Sequence, residues 1–359
     1  KSGKFVVLER TDIGKITKEQ EITGQSGLVG SDTVILGAVT EFGRSVSGQT
    51  GQAGQANRTT WRQEVDALKS WLSERLEWMD GETQAWALRK LAAIKLRVGY
   101  PDKWRNYGGL TVKDGDPVGN VERAGRFEFK RVAAKLGQPV DRGEWLMTPQ
   151  TVNAYYNPAM NEIVFPAAIL EPPFFDMAAD DAANYGAIGA IIGHEISHGF
   201  DDQGSQYDGD GKLDNWWTAE DAKAFEALGK QLVAQFAGYE PLPGHKVNGQ
   251  LTLGEYIADL SGLQIAYKAW QLSLNGATPP VINGLTGEQR FFYSFAHAWR
   301  SKYREELQLR LLTADPHSPP EFRANGTVMN HDGFQAAFGV KPFFATDQDG
   351  TDGSDTGDG

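Results

Sequence analysis

The sequence predicts a mainly α-helical fold with a small β-sheet. From Trp61 onward the apolar residues recur at helical spacing: Val65, Leu68, Trp71, Leu72 and Leu76, then Leu88, Leu91 and Ile94 as far as Val98. Two short β-type runs, 151–156 and 161–165, flank the turn pair Asn157-Pro158 and read as a hairpin. A strongly apolar stretch, Tyr185-Gly-Ala-Ile-Gly-Ala-Ile-Ile-Gly193, runs straight into two histidines four residues apart.

Taken in chain order, residues 4–9 and 33–39 read as strands separated by a polar stretch. Residues 45–58, rich in Gly, Gln and Ser, read as a linker. Helices are expected over 61–98 and at about 121–136, 180–199, 218–237, 252–270 and 287–306. The tail from Asp347 to Gly359 has no apolar residue and is expected to be disordered. This gives three segments: an α/β appendage with its linker (1–58), a catalytic domain (59–345) and an acidic tail (346–359).

Composition narrows the function. The 359 residues are 40% hydrophobic with ten Trp, enough for a globular core. No run of about 18 apolar residues is present, so no membrane span is expected. Lys1-Ser-Gly-Lys4 followed by Phe5-Val-Val-Leu8 is too short for a signal peptide, so export would need a targeting segment that this chain does not carry. A net charge of −12 argues against nucleic acid, and five of the acidic residues lie between Asp347 and Asp358. With no cysteine, any bound metal must be held by His and carboxylates. The loop Asp208-Gly-Asp-Gly-Lys-Leu-Asp214 resembles a calcium loop in composition, but Lys212 occupies a ligand position.

His194-Glu195-Ile196-Ser197-His198 is the strongest chemical signal. On a helix, both imidazoles leave one face about 6 Å apart along the axis. That suits two ligands of one tetrahedral zinc, with Glu195 placed to take a proton from activated water. A third protein ligand is then needed. The best candidate is Glu255 in Gly254-Glu-Tyr-Ile-Ala-Asp259, where one carboxylate can bind metal while the other holds a ligand imidazole through its second nitrogen. A Glu and an Asp on a helix more often form a solvated face, but Ile257, Ala258 and Leu260 make these surroundings apolar.

These motifs, with Gly99-Tyr-Pro-Asp-Lys-Trp-Arg, Val152-Asn-Ala-Tyr-Tyr-Asn-Pro, Glu162-Ile-Val-Phe-Pro-Ala-Ala-Ile-Leu-Glu-Pro-Pro-Phe-Phe and His317-Ser-Pro-Pro-Glu-Phe-Arg323, resemble the neprilysin family of zinc endopeptidases. The resemblance covers roughly residues 83–343 in the family's order. It implies a zincin-like, thermolysin-like catalytic domain with the His-Glu-x-x-His motif on the active-site helix. One zinc ion per chain would be held by His194, His198 and Glu255, with Glu195 as general base. Asp259, and similarly Asp201, would support a ligand histidine. His317 would stabilise the oxyanion, Arg323 a substrate carbonyl, and Asn153 with the backbone of Ala154 the peptide main chain. Ile169, Phe174, Ile191 and Trp299 match an apolar pocket, implying cleavage of short peptides before large hydrophobic residues. Plain core packing is the alternative reading of those four. Family members usually work outside the cytoplasm, so an extracytoplasmic location is expected.

The sequence departs from the family in three places. Tyr256 stands where the third-ligand motif usually has Asn. The family's members are about twice as long, and most of their N-terminal helical cap has no counterpart here, so a wider cleft and weaker substrate positioning are expected. A catalytically silent zinc- and peptide-binding protein is the alternative on that ground. The ends also look foreign: residues 2–45 resemble the curli-secretion lipoprotein family, and 60–80 resemble the end of spore-coat kinase-like proteins. The chain reads as a composite, with a secretion or assembly role resting on residues 2–45 alone.

Overall fold

The computed structural model describes residues 79–340 together with residues 63, 66 and 67. The expected strands at 4–9 and 33–39, the linker and the acidic tail lie outside these residues. Two compact units divide the described chain, one of them Pro101–Glu144 and the other comprising the rest.

The Pro101–Glu144 unit is built on helix α2 (Pro117–Ala133), which starts earlier than the expected residue 121. Asp116 accepts from the Gly119 amide, and Pro117 occupies the first turn, where its missing N–H costs nothing. No residue of α2 is buried, and Glu122–Arg126 and Asp116–Arg123 ion pairs line it.

In the larger unit, α1 (Gly81–Ala93) is capped by Asp80, whose carboxylate accepts from the amides of Glu82 and Thr83. Thr83, Ala87, Lys90 and Leu91 form its buried face. The expected helix to Val98 is a correction: the chain leaves the helix at Ile94 and forms strand β1 (Lys95–Gly99). The Lys95 amide donates to Asn161 O at 2.9 Å, and Leu96 to Val98 pair in parallel with β3 (Glu162–Pro166), which outweighs the local helical pattern. Strand β2 (Tyr155–Asn157) pairs antiparallel with β3, so the order is β1-β3-β2 and β3, wholly buried, is central. The expected hairpin is present, but residues 151–154 precede the strand rather than belong to it.

The apolar stretch forms α3 (Asp181–Asn184), a π-helical turn (Tyr185–Gly189) and α4 (Ala190–Ser197). Every residue from Tyr185 to Ser197 is buried. Further along come α5 (Ala219–Ala237), capped by Thr218, and α6 (Leu253–Ser273). Helix α7 (Gly287–Ala298) opens on a Thr286/Gln289 capping box. The expected helix over 287–306 breaks at Trp299, and α8 (Glu305–Ala314) follows. Short helices α9 (Pro320–Val328) and α10 (Asp332–Phe338) complete the unit.

Helices α4 and α6 cross at two glycines. A Cβ on Gly193 would lie 2.5 Å from Gly262 O, and one on Gly262 would lie 2.4 Å from the His194 amide nitrogen. On one side α4 packs on the sheet and α1 through Ile191, Ile192, Ile163 and Leu91. On the other, α6 and α7 share an aromatic core of Trp270, Phe291, Phe292 and Phe295. We expect Gly262→Ala to lose at least about 1–3 kcal/mol of stability, because the obstruction is backbone that cannot repack. Denaturant titration checks this; an unchanged midpoint would show that the helices separate freely.

Candidate metal centre

The crossing places two pairs of side chains face to face. His194 and His198 leave α4 on one side, and their Nε2 atoms lie 2.9 Å apart. Glu255, in the first turn of α6, points its carboxylate at both: Oε2 is 3.3 Å from His194 Nε2 and Oε1 is 3.7 Å from His198 Nε2. One ligand atom from each of these three residues lies within 4.8 Å of the others.

The outer nitrogens are committed elsewhere. His194 Nδ1 is 2.8 Å from Asp259 Oδ1, one turn beyond Glu255 on α6. His198 Nδ1 is 2.7 Å from Asp201 Oδ2, in the loop after α4. Carboxylates accept, so both Nδ1 atoms carry the proton and both Nε2 lone pairs converge on Glu255. Three electron-rich atoms in a buried space require a cation or a proton between them. Buried Glu255 Oε2 makes no well-formed hydrogen bond among the described residues, although His194 Nε2 at 3.3 Å and Arg323 Nη2 at 3.5 Å face it, so it is free to serve as a ligand atom. Two imidazoles and one carboxylate, each imidazole held from behind, are the donor set of a catalytic zinc site.

Burial lowers the proton affinity of His194, but the Asp259 and Glu255 carboxylates outweigh it and raise its pKa to about 10. His198 is raised too, Asp201 overcoming burial and the neighbouring His194. Glu255 is held below the usual carboxylate range: burial opposes this, but His194 and Arg323 prevail. Glu195, on the same turn, is 5% exposed, and its Oε2 has no partner among the described residues. Burial pushes its carboxyl upward.

The remaining expected residues fall at varied distances from this cluster. His317 Nε2 lies 3.2 Å from Glu255 Oε1, and its Nδ1 is held at 2.7 Å by Asp315. Arg323 is buried, with Nε and Nη2 donating to Asp259 at 2.8 and 2.6 Å and its guanidinium 3.8 Å from the Trp299 ring centroid. Only Nη1 carries no hydrogen bond among the described residues. Asn153 is exposed at the foot of β2, where its Oδ1 accepts from the Ala154 amide at 2.9 Å. Ile169, Ile191 and Phe174 belong to the core beside α4, whereas Trp299 packs against the other core. Tyr256, between Glu255 and Asp259 in sequence, is buried and stacks on Phe236.

Asp315, which holds His317, and the buried Lys90 were not legible in sequence. Asp315 carries only the weak signal of an Asp two residues before a loop histidine. Lys90 reads as a solvated helix position.

Comparison with known proteins shows the family. Residues 153–347 match the model of peptidase family M13, and residues 1–59 match that of the curli production assembly/transport component CsgG. Neprilysin-11 of Caenorhabditis elegans is 42% identical over 271 residues, covering 72% of this chain and 32% of that protein. Human neprilysin is 40% identical over 277 residues, covering 73% and 37%. The crystal structure of Mycobacterium tuberculosis zinc metalloprotease ZMP1 with inhibitor superposes with a TM-score of 0.79 at 54% identity, covering 80% of this chain and 45% of that one. The chain thus spans about a third of the curated relatives' length. The fold is zincin-like, with the paired histidines on its central helix, and the chain belongs to peptidase family M13.

Proposed function

We propose that this chain is the catalytic region of a zinc-dependent endopeptidase that hydrolyses short peptides before large hydrophobic residues, with Glu195 as general base. The observation that carries it is the convergence of His194, His198 and Glu255 beside the unpartnered, buried Glu195 carboxylate. These three would hold one zinc ion. Bound zinc supplies Lewis acidity, acidifying water and polarising the scissile carbonyl.

The chain's own residues do the rest. Glu195 takes a proton from the attacking water and delivers it to the leaving nitrogen as the peptide bond breaks. Its upward-shifted pKa suits both halves of that transfer. Asp259 and Asp201 keep the two imidazoles in one tautomer with Nε2 facing inward. His317, anchored through Nδ1 by Asp315, donates from Nε2 to the developing oxyanion. Arg323, fixed on Asp259, keeps Nη1 for a substrate carbonyl. An extended peptide aligns beside Asn153 and Ala154, where β2 forms one edge of the sheet. Ile169, Phe174, Ile191 and Trp299 supply the apolar contact for the residue after the scissile bond. In this reading residues 59–345 are the catalytic domain, 1–58 an appendage, 346–359 an acidic tail, and the protein works outside the cytoplasm. No helix among the described residues is long and apolar enough to cross a membrane.

Three outcomes test the reading. Glu195→Gln should keep its zinc and lose about 10²–10⁴-fold in cleavage of a quenched fluorescent peptide; full activity would remove Glu195 from the mechanism. Peptides with Leu or Phe after the scissile bond should be cleaved on the order of 10–100-fold faster than those with Asp, and equal rates would sink the apolar pocket. Zinc entry must displace the proton that Asp259 and Glu255 stabilise on His194, whose pKa they raise to about 10. Calorimetry in two buffers at pH 7 should therefore show at least about one proton released per ion, with affinity rising as pH rises towards that value. A heat of binding independent of the buffer would contradict the proton-held centre.

A further inference from the structure

We infer that Lys90, on α1, is a positioning residue for the metal centre, acting through the loop that carries Asp201; this rests on the zinc reading above. Lys90 is 2% exposed, and its ammonium has no salt-bridge partner among the described residues. Instead Nζ donates to two backbone carbonyls, Gly204 O and Tyr207 O, both at 2.6 Å. The Phe200 and Trp216 ring centroids lie 5.5 and 5.7 Å from it. Burying an ammonium this deeply is costly unless its donors are well used.

What Lys90 grips is the scaffold of one ligand. The Gly204 peptide whose carbonyl accepts from Lys90 follows an amide that donates to Asp201 Oδ1 at 2.6 Å, and the Gln203 amide donates to the same oxygen at 2.9 Å. The other oxygen, Oδ2, holds His198 Nδ1. A continuous path therefore runs from Lys90 through Gly204 and Asp201 to His198. The loop has little room to compensate, because a Cβ on Gly204 would lie 1.8 Å from His198 O. Trp216 and Trp217 reinforce the grip by donating to Tyr207 O and Ser205 O at 3.0 and 3.1 Å. On the far side, Asn161 fixes the Lys90 carbonyl and Gly209 O together, tying α1 to both the sheet and the loop end.

His194 has no such dependence. Its carboxylate, Asp259, sits on the same helix as Glu255 and is locked by Arg323. His198 alone is oriented from a loop, so Lys90 supplies the rigidity that a helix supplies to its partner.

The test is zinc affinity, read by chelator competition on folded chain, for the wild type, Lys90→Met, Asp201→Ala and the double variant. Lys90→Met should weaken zinc binding about 10-fold or more, as loss of outer partners of metal ligands does. In the Asp201→Ala background it should add less than about 3-fold, since both act on one path. Arg290→Met, which removes a buried arginine held by Asp180 and the Pro280 and Leu285 carbonyls, should lower thermal stability and leave zinc affinity unchanged. If Lys90→Met lowers stability but binds zinc as the wild type does, Lys90 is only a staple of the fold and the inference fails. Additive losses would overturn it too. Should Lys90→Met not fold, Trp216→Phe removes the second donor to Tyr207 O and leaves a smaller aromatic ring in its place. It should weaken zinc in the same non-additive way, and unchanged affinity would again overturn the inference. A wild-type chain that binds no zinc would bring down the metal centre itself, and Lys90's role with it.

Discussion

Everything at the centre depends on two helices approaching until their backbones touch. Gly193 and Gly262 allow this, since neither position has room for even one methyl group. The close approach sets the distance between histidines on α4 and carboxylates on α6. Side chains as short as Asp259 can then reach His194 across the interface. A wider crossing would leave Glu255 short of both imidazoles and Asp259 buried without a partner, which would be more damaging than losing a packing contact.

The same closeness concentrates charge. Asp259, Glu255, His194 and Arg323 share one buried region, and each stabilises a charged neighbour. Arg323 neutralises the carboxylate behind His194 while Trp299 shields its outer face. The network explains why shifts in opposite directions coexist within a few ångströms: the histidines are raised, Asp259 and Glu255 lowered, and Glu195, lacking a paired donor, raised. Its distinct environment separates Glu195 from Glu255, although both are glutamates facing one cluster.

Much of this was legible in the sequence where a signal is local. Spacing of four put His194 with His198 and Glu255 with Asp259, and the structure joins the pairs. Helices α5 and α6 begin and end near the positions their periodicity marks. Failures came where distant chain decides. Lys95 to Gly99 looks like the end of a helix until β3 offers it a ladder. The glycine crossing is invisible because Gly193 and Gly262 are 69 positions apart, and the run Gly186, Gly189, Gly193 does not say which helix it meets. Lys90 is the sharpest case, since a lysine on a helix ordinarily faces water and its carbonyl partners carry no side-chain code.

The chain order of the support has a consequence for synthesis. The metal-binding helix is made well before α9, and Asp259 receives its guanidinium only from Arg323. Roughly 130 residues separate Glu195 from Arg323, on the order of ten seconds of elongation. During that interval a nascent chain holds the histidines, the glutamates and an unneutralised Asp259, and it lacks the arginine and His317. The centre so arranged stays incomplete until the last quarter of the described chain has been made.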